Sequence, residues 1–130
     1  MSQNYEFRSL EYVDEDNQDN QSEALTVFET GDTKTIDFVK KDGTRQSFPY
    51  GHYMTAWYEK KKDTNEWAIK IFFATHLVTI SGFGLEKIYD ELRQFHLKSL
   101  IAHDIRYADD IEDSEPFVSG ILIEWKNKEE

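Results

Sequence analysis

The sequence predicts an α+β domain: an antiparallel meander of four to five strands, one amphipathic helix packed on one face, and one or two closing strands. Apolar residues recur every second position between residues 35 and 81, follow a helical period over residues 84–96, and alternate again near the end of the chain. The 3 Trp, 7 Tyr and 9 Phe residues supply ample core material. A small, partly open β-barrel capped by the helix is the alternative architecture.

Length and charge predict one domain with acidic ends. The chain has 130 residues and a net charge of -11, of which residues 1–32 carry -8, residues 33–100 carry +3 and residues 101–130 carry -6. We expect an acidic N-terminal segment at 1–32 that is at least partly flexible, because residues 12–22 have too few apolar groups to offset the entropy of ordering. After this segment we expect a single α+β domain at 33–126 and a solvated tail at 127–130.

The first two predicted strands form a hairpin. Residues 35–40 alternate in polarity, and Asp42-Gly43 is a pair that favours a tight turn between antiparallel strands. Residues 45–50 then return as a short strand. Pro49 lacks a backbone N–H and is expected to hold this strand at the edge of a sheet.

Three further strands are expected between residues 52 and 81. In the first, alternation predicts that His52, Met54, Ala56 and Tyr58 share one face while Tyr53, Thr55 and Trp57 share the other. In the second, one face carries Trp67, Ile69, Ile71 and Phe73. The β-branched residues that follow His76 predict a third strand, antiparallel to the second.

The helix is predicted at about residues 84–96, after Gly82-Phe83-Gly84 ends the preceding strand. Leu85, Ile88, Leu92 and Phe95 form its apolar stripe. Residues 97–107 leave room for one more short strand. The closing strand is marked by its apolar residues, which are Phe117, Ile121, Ile123 and Trp125.

Composition narrows the function classes. The chain contains no cysteine, which excludes a disulfide scaffold, a thiol nucleophile and a Cys-ligated metal. It shows no secretory signal and no apolar run of the length that spans a bilayer. We therefore expect a cytoplasmic protein that does not associate with membranes.

No motif identifies a reaction. The histidines (His52, His76, His96 and His103) lack the spacing of helix-borne metal ligands, and the acidic residues around Asp14 and Asp109 do not follow a calcium-loop pattern. Gly82-Phe83-Gly84 lacks the third glycine of a dinucleotide-binding loop, and neither Ser81 nor Ser119 lies in a nucleophile elbow. The sequence therefore predicts no catalytic residue, no metal ligand and no cofactor. An enzyme that uses the histidines on a small ligand or a metal stays open as an alternative.

The aromatic segment from Tyr50 to Lys62 is the strongest candidate for function. Tyr50, Tyr53, Trp57 and Tyr58 are predicted to contribute to an interaction surface, because aromatic residues in excess of core needs commonly anchor partners. The leading interpretation is a non-catalytic protein-interaction or accessory module. Self-association through the edge strand at residues 45–50 is one version of it. Single-stranded nucleic-acid binding through Tyr50–Lys62 is a further alternative, which the net negative charge disfavours.

Overall fold

The computed structural model describes residues 25–110 and 115–126, which form two open four-stranded sheets and one α-helix. The strands are β1 (Phe28–Thr30), β2 (Thr35–Val39), β3 (Arg45–Pro49), β4 (Tyr53–Lys60), β5 (Trp67–Phe73), β6 (His76–Phe83), β7 (Leu97–Ile101) and β8 (Phe117–Trp125), and helix α1 (Glu86–Arg93) lies between β6 and β7. The predicted α+β class with one helix is confirmed. The sheets do not close into a barrel. The acidic run at residues 12–22 and the tail at 127–130 lie outside the described residues.

The first sheet, sheet A, has the strand order β1-β7-β2-β3. Strands β2 and β3 form the predicted hairpin, in which Gly43 has a φ of 92° and its N–H donates to the carbonyl of Lys40 over 2.9 Å. Asp42 accepts a hydrogen bond from the N–H of Thr44 over 2.8 Å, which stabilises the turn. Strand β3 lies at the edge, as Pro49 predicts.

Strand β7 makes the topology differ from a simple meander. The chain leaves sheet A after β3, builds three strands of the second sheet and α1, and returns as β7 between β1 and β2. Strand β7 pairs parallel with β2 and antiparallel with β1. A parallel pair requires a long crossover, and β4, β5, β6 and α1 provide it.

The second sheet, sheet B, has the order β4-β5-β6-β8, and all its pairs are antiparallel. Its inner face packs on sheet A. Ile69, Ile71 and Phe73 are fully buried there, which confirms their predicted face, and Phe73 stacks on Phe48 of sheet A with ring centroids 4.4 Å apart. The two sheets therefore share one core.

Helix α1 packs at the side of the two sheets. Its buried residues are Ile88 and Leu92, and the Tyr89 hydroxyl donates to the carbonyl of Ala56 over 3.4 Å. The helix contacts both β4 and β7. It therefore closes the core at the side where β4 borders the solvent.

The helix is shorter than predicted, and Phe95 is not part of its buried stripe. The N–H of Phe95 donates to the carbonyl of Leu92 over 3.0 Å, and the N–H of His96 donates to that of Glu91 over 2.9 Å. These two bonds form a Schellman motif, in which the residue after the C-cap is left-handed. Phe95 has a φ of 63°, so the chain turns away there and leaves its side chain 49% exposed.

A β-bulge at Met54 changes the predicted faces of β4. Tyr53 pairs with Phe73, but Thr55 pairs with Phe72, so Met54 is an extra residue that has no partner on β5. One extra residue reverses the alternation. Tyr53 therefore lies on the inner face with Ala56 and Tyr58, and Met54 points into solvent.

Candidate interaction surface

The four aromatic residues predicted to form an interaction surface lie in three different places. Tyr50 and Tyr53 pack against Phe95 near the end of α1, with ring centroids 5.1 and 5.5 Å from it. Tyr58 lies on the inner face, with its ring centroid 4.7 Å from that of Trp67. Only Trp57 lies on the opposite side of sheet B, where it is 37% exposed. The four residues do not form one surface.

Trp57 belongs to a face of sheet B that points away from the core, which we call the outer face. The register places Thr55, Phe72, Leu77 and Glu124 in one cross-strand row. Trp57, Lys70, Thr79 and Leu122 form the next row. The outer face therefore carries an apolar centre in which Phe72 and Leu77 lie on the two central strands. Trp57 lies diagonal to Phe72 and Leu122 lies diagonal to Leu77, whereas Lys70 and Thr79 lie between Trp57 and Leu122.

Contacts between side chains hold the outer face in place. The Trp57 and Phe72 rings lie 5.2 Å apart, and the indole N–H of Trp57 donates to Glu59 over 3.0 Å. Lys126 lies over the Phe72 ring, with its Nζ 5.4 Å from the centroid. It also donates to the carbonyl of Phe73 over 3.2 Å. Because these rings are held by neighbours, little side-chain entropy remains to be lost on binding.

The charges of the outer face are balanced. Lys70 lies 3.9 Å from Glu59, and the side chains of Lys126 and Glu124 add one charge of each sign. Leu122 is 54% exposed between these polar groups. Apolar residues beside oppositely charged side chains are compatible with a protein–protein interface.

The sequence analysis missed Phe72, Leu77 and Leu122. Their signal was present, because the alternation that buries Ile71 and Phe73 must place Phe72 on the other face. When an apolar residue occupies a strand position whose side chain points away from the core, it indicates that this face of the sheet is not wholly polar. Alternation alone does not show that these three residues meet Trp57, since that requires the strand register.

Near the end of α1, the exposed ring of Phe95 borders an open depression of about 550 Å³. The depression is lined by Asp32, Thr33, Lys34, Gln94, Phe95 and His96. The Tyr50 hydroxyl donates to the carbonyl of Leu97 over 2.6 Å, which fixes the tyrosine as a structural support. Burial raises the pKa of Tyr50 to about 12 and also raises the pKa of Tyr53. Both phenols therefore stay neutral at physiological pH.

The histidines occupy separate environments. His76 is buried between Phe48 and Trp125, and its Nδ1 lies 2.7 Å from the Thr75 hydroxyl. His96 lies 3.9 Å from Glu91, and Nε2 of His103 lies 2.6 Å from the carbonyl of Thr26. Within residues 25–110 and 115–126, no group of three His, Cys, Asp or Glu side chains could hold a metal ion.

The glycines around Phe83 have a structural role. A Cβ on Gly82 would lie 2.0 Å from the carbonyl oxygen of Phe117, so only glycine fits where β6 and β8 approach. Gly84 has a φ of 60°, which turns the chain from β6 toward α1. These observations account for both glycines without a bound phosphate.

No family model, no curated protein and no solved structure matches the chain. In the part of the chain that the structure describes, no helix has the length and apolar character needed to cross a membrane.

Proposed function

We propose that this chain is a non-catalytic protein-interaction module and that its partner docks on the outer face of sheet B. The observation that carries the proposal is the apolar centre of that face. Trp57, Phe72, Leu77 and Leu122 lie together there, although the core is on the other side of the same sheet. Burying such a centre is favourable by roughly 25 cal/mol for each Å² of apolar area.

Charge favours a protein partner over a nucleic acid. On the outer face Lys70 lies 3.9 Å from Glu59 and Lys126 contacts the Phe72 ring and the Phe73 carbonyl, whereas a strand of nucleic acid requires a contiguous positive surface. The aromatic rings of the Tyr50–Lys62 segment are divided between two faces, and Lys61 is engaged by Glu66 at 3.5 Å. Stacking of successive bases along this segment therefore lacks a continuous platform.

The environments of His76 and His103 support a non-catalytic module. His76 packs between aromatic rings, and His103 contacts a backbone carbonyl. A general base needs a reacting group within hydrogen-bond reach, and a metal needs converging ligands. The known contacts of both rings are those of structural residues.

We also propose a cytoplasmic location, on the basis of the cysteine-free sequence, which cell fractionation tests directly.

A photo-cross-linking amino acid at Thr55 tests the proposal. Thr55 lies on the outer face, one row from Trp57, and the same probe at Tyr107 serves as a control on another exposed site. In the native host we expect one protein to be cross-linked from Thr55 and not from Tyr107. The double variant Trp57→Ala/Leu122→Ala should abolish the adduct while circular dichroism stays unchanged.

A matched Tyr107→Ala variant, which also removes an exposed aromatic residue, should leave the Thr55 adduct intact. The proposal is wrong if Thr55 captures no protein, if the two positions capture the same proteins, or if the double variant still captures the partner. Recovery of nucleic acid in the Thr55 adduct would favour the alternative partner class.

A further inference from the structure

Among residues 25–110 and 115–126, four strands lie at the sheet edges, and three of them carry features that prevent pairing with another chain. Strand β1 has only three residues, and β3 carries Arg45 and Pro49. Strand β4 is bulged at Met54 and uses the carbonyl of Ala56 to accept the Tyr89 hydroxyl. Short length, charge, proline and bulges are the means by which natural sheets avoid edge-to-edge association.

The fourth edge strand, β8, lacks these features over residues 120–125. Its bulge lies earlier, near Ser119, and the carbonyl of Val118 is taken by the N–H of His103 over 2.9 Å. Beyond that point the strand reads Gly-Ile-Leu-Ile-Glu-Trp, with a single charge and no proline. Trp125 is 68% exposed.

Backbone geometry shows which groups of β8 face the open edge. The N–H of Lys126 donates to the carbonyl of Thr75 over 3.0 Å, on the side of β6. Because backbone groups alternate along a strand, those of Ile121, Ile123 and Trp125 point away from β6. No backbone group within residues 25–110 and 115–126 pairs with them.

We propose that this edge is a self-association site, at which β8 of a second copy of the chain pairs antiparallel with β8 of the first. Ile123 lies opposite Ile123 of the other copy, and Ile121 lies opposite Trp125. All three outward residues of each copy then exchange both of their backbone hydrogen bonds. Pairs of aromatic and β-branched residues are favourable across strands.

The sequence of β8 selects this register over its neighbours. If the two-fold axis passed through Leu122, Trp125 of one copy would lie opposite the bulged Ser119 of the other. The end of each strand would then meet the place where the N–H of His103 already binds the Val118 carbonyl. An axis at Glu124 places two carboxylates directly opposite each other, which is destabilising. The axis at Ile123 uses only the open part of the edge, and the strand complements itself. A second copy is therefore the occupant that fits.

Size and charge predict a weak dimer that salt strengthens. A single strand pair buries less than the roughly 1,200 Å² typical of stable complexes, so association is expected at high micromolar concentration. Each copy carries a net charge of -11, and like charges repel at low ionic strength. Raising the salt should therefore tighten the dimer, whereas it would weaken an interface built on ion pairs.

Amide hydrogen exchange on the full chain tests the register residue by residue. At low protein concentration the amides of Ile121, Ile123 and Trp125 should exchange fast, while those of Leu122 and Glu124, which face β6, are protected. At about 1 mM, the three outward amides should become at least about twofold better protected, because roughly half of the molecules or more are then paired. Leu122 and Glu124 should not change.

Sedimentation velocity over the same concentrations measures the dimer itself. Ile123→Pro removes an outward N–H, and we expect it to raise the dimer Kd by at least about tenfold. Trp125→Lys should do the same without a backbone change, which covers the case in which the proline variant fails to fold. Ser47→Pro is the matched control, because Ser47 turns its N–H to the open edge of β3, which already contains Pro49.

The proposal is overturned by a chain that stays monomeric at 1 mM, by outward amides already protected at low concentration, or by a dimer that Trp125→Lys leaves unchanged. Equal weakening by Ser47→Pro would also overturn it. The inference does not depend on the docking of a partner on the outer face. With 5-fluorotryptophan, dimerisation shifts the Trp125 resonance and partner binding shifts that of Trp57, so the two proposals can fail separately.

Discussion

Gly82→Ala is expected to be strongly destabilising, because the new methyl group has no space. Its Cβ would lie 2.0 Å from the Phe117 oxygen, 3.0 Å from the Phe117 carbonyl carbon and 3.1 Å from the Cα of Val118. All three atoms belong to the backbone of β8, so the strand must move. Overpacking costs about 1–3 kcal/mol, and a backbone obstacle places this variant near 3 kcal/mol. With a urea m-value of about 2 kcal/mol/M, the midpoint falls by about 1.5 M.

Gly120→Ala is the matched control in the same pair of strands. Gly120 pairs with Ser81, next to Gly82, and a Cβ there meets nothing within 4 Å. We expect this variant to be neutral or to gain up to about 0.5 kcal/mol, because alanine restricts the unfolded chain. Urea unfolding followed by tryptophan fluorescence gives both values. Loss of less than about 1 kcal/mol in Gly82→Ala, or equal loss in both variants, would refute the reasoning.

Three further predictions concern turns and buried phenols. Tyr50→Phe should cost about 1 kcal/mol through loss of the bond to Leu97. Burial raises the pKa of Tyr50 from 10.0 to about 12. The stability that the neutral phenol contributes is therefore complete below pH 10 and is lost as the pH rises through 12. In alkaline unfolding scans, the stability of Tyr50→Phe should decline less than that of the unaltered chain. Phe95→Gly should be about 1 kcal/mol more stable than Phe95→Ala in thermal unfolding, since both remove the ring and only glycine relieves the left-handed backbone. The carboxyl of Asp42 should titrate by NMR with a pKa below 3.8, because the backbone N–H of Thr44 stabilises its charged form. Thr44→Pro removes that donor, so the pKa of Asp42 should rise in this variant.

Local patterns were sufficient for most of the elements. The alternation of β5, the Asp42-Gly43 turn and the edge position of Pro49 each depend on residues close in sequence, and each was predicted correctly. The division into two sheets was not predicted. Strand β7 pairs parallel with β2 across about 60 residues, and no local period encodes such a pairing.

The site could be predicted only in part, because strand faces depend on bulges. Trp57 lies on the face that points away from the core, and Tyr53, which was predicted to share its face, lies on the other. The extra residue at Met54 reverses the alternation, and nothing in the local composition marks it. Phe95 was assigned to the core stripe because the helical period continues through it, whereas the Schellman motif turns the chain first.

The outer face of sheet B and the open edge of β8 are related by geometry, so that dimerisation would affect the binding of a partner. Antiparallel pairing of two β8 strands places the two-fold axis perpendicular to sheet B, so both outer faces point to the same side of one continuous eight-stranded sheet. Leu122 lies on the outer face close to that axis, and Trp57 lies three strands away from it. A partner with two equivalent apolar surfaces would then bind both copies with an avidity that exceeds either contact. Trp125→Lys should therefore weaken the capture of such a partner although Trp125 is not among the outer-face residues, whereas a partner that contacts one copy would be captured as before.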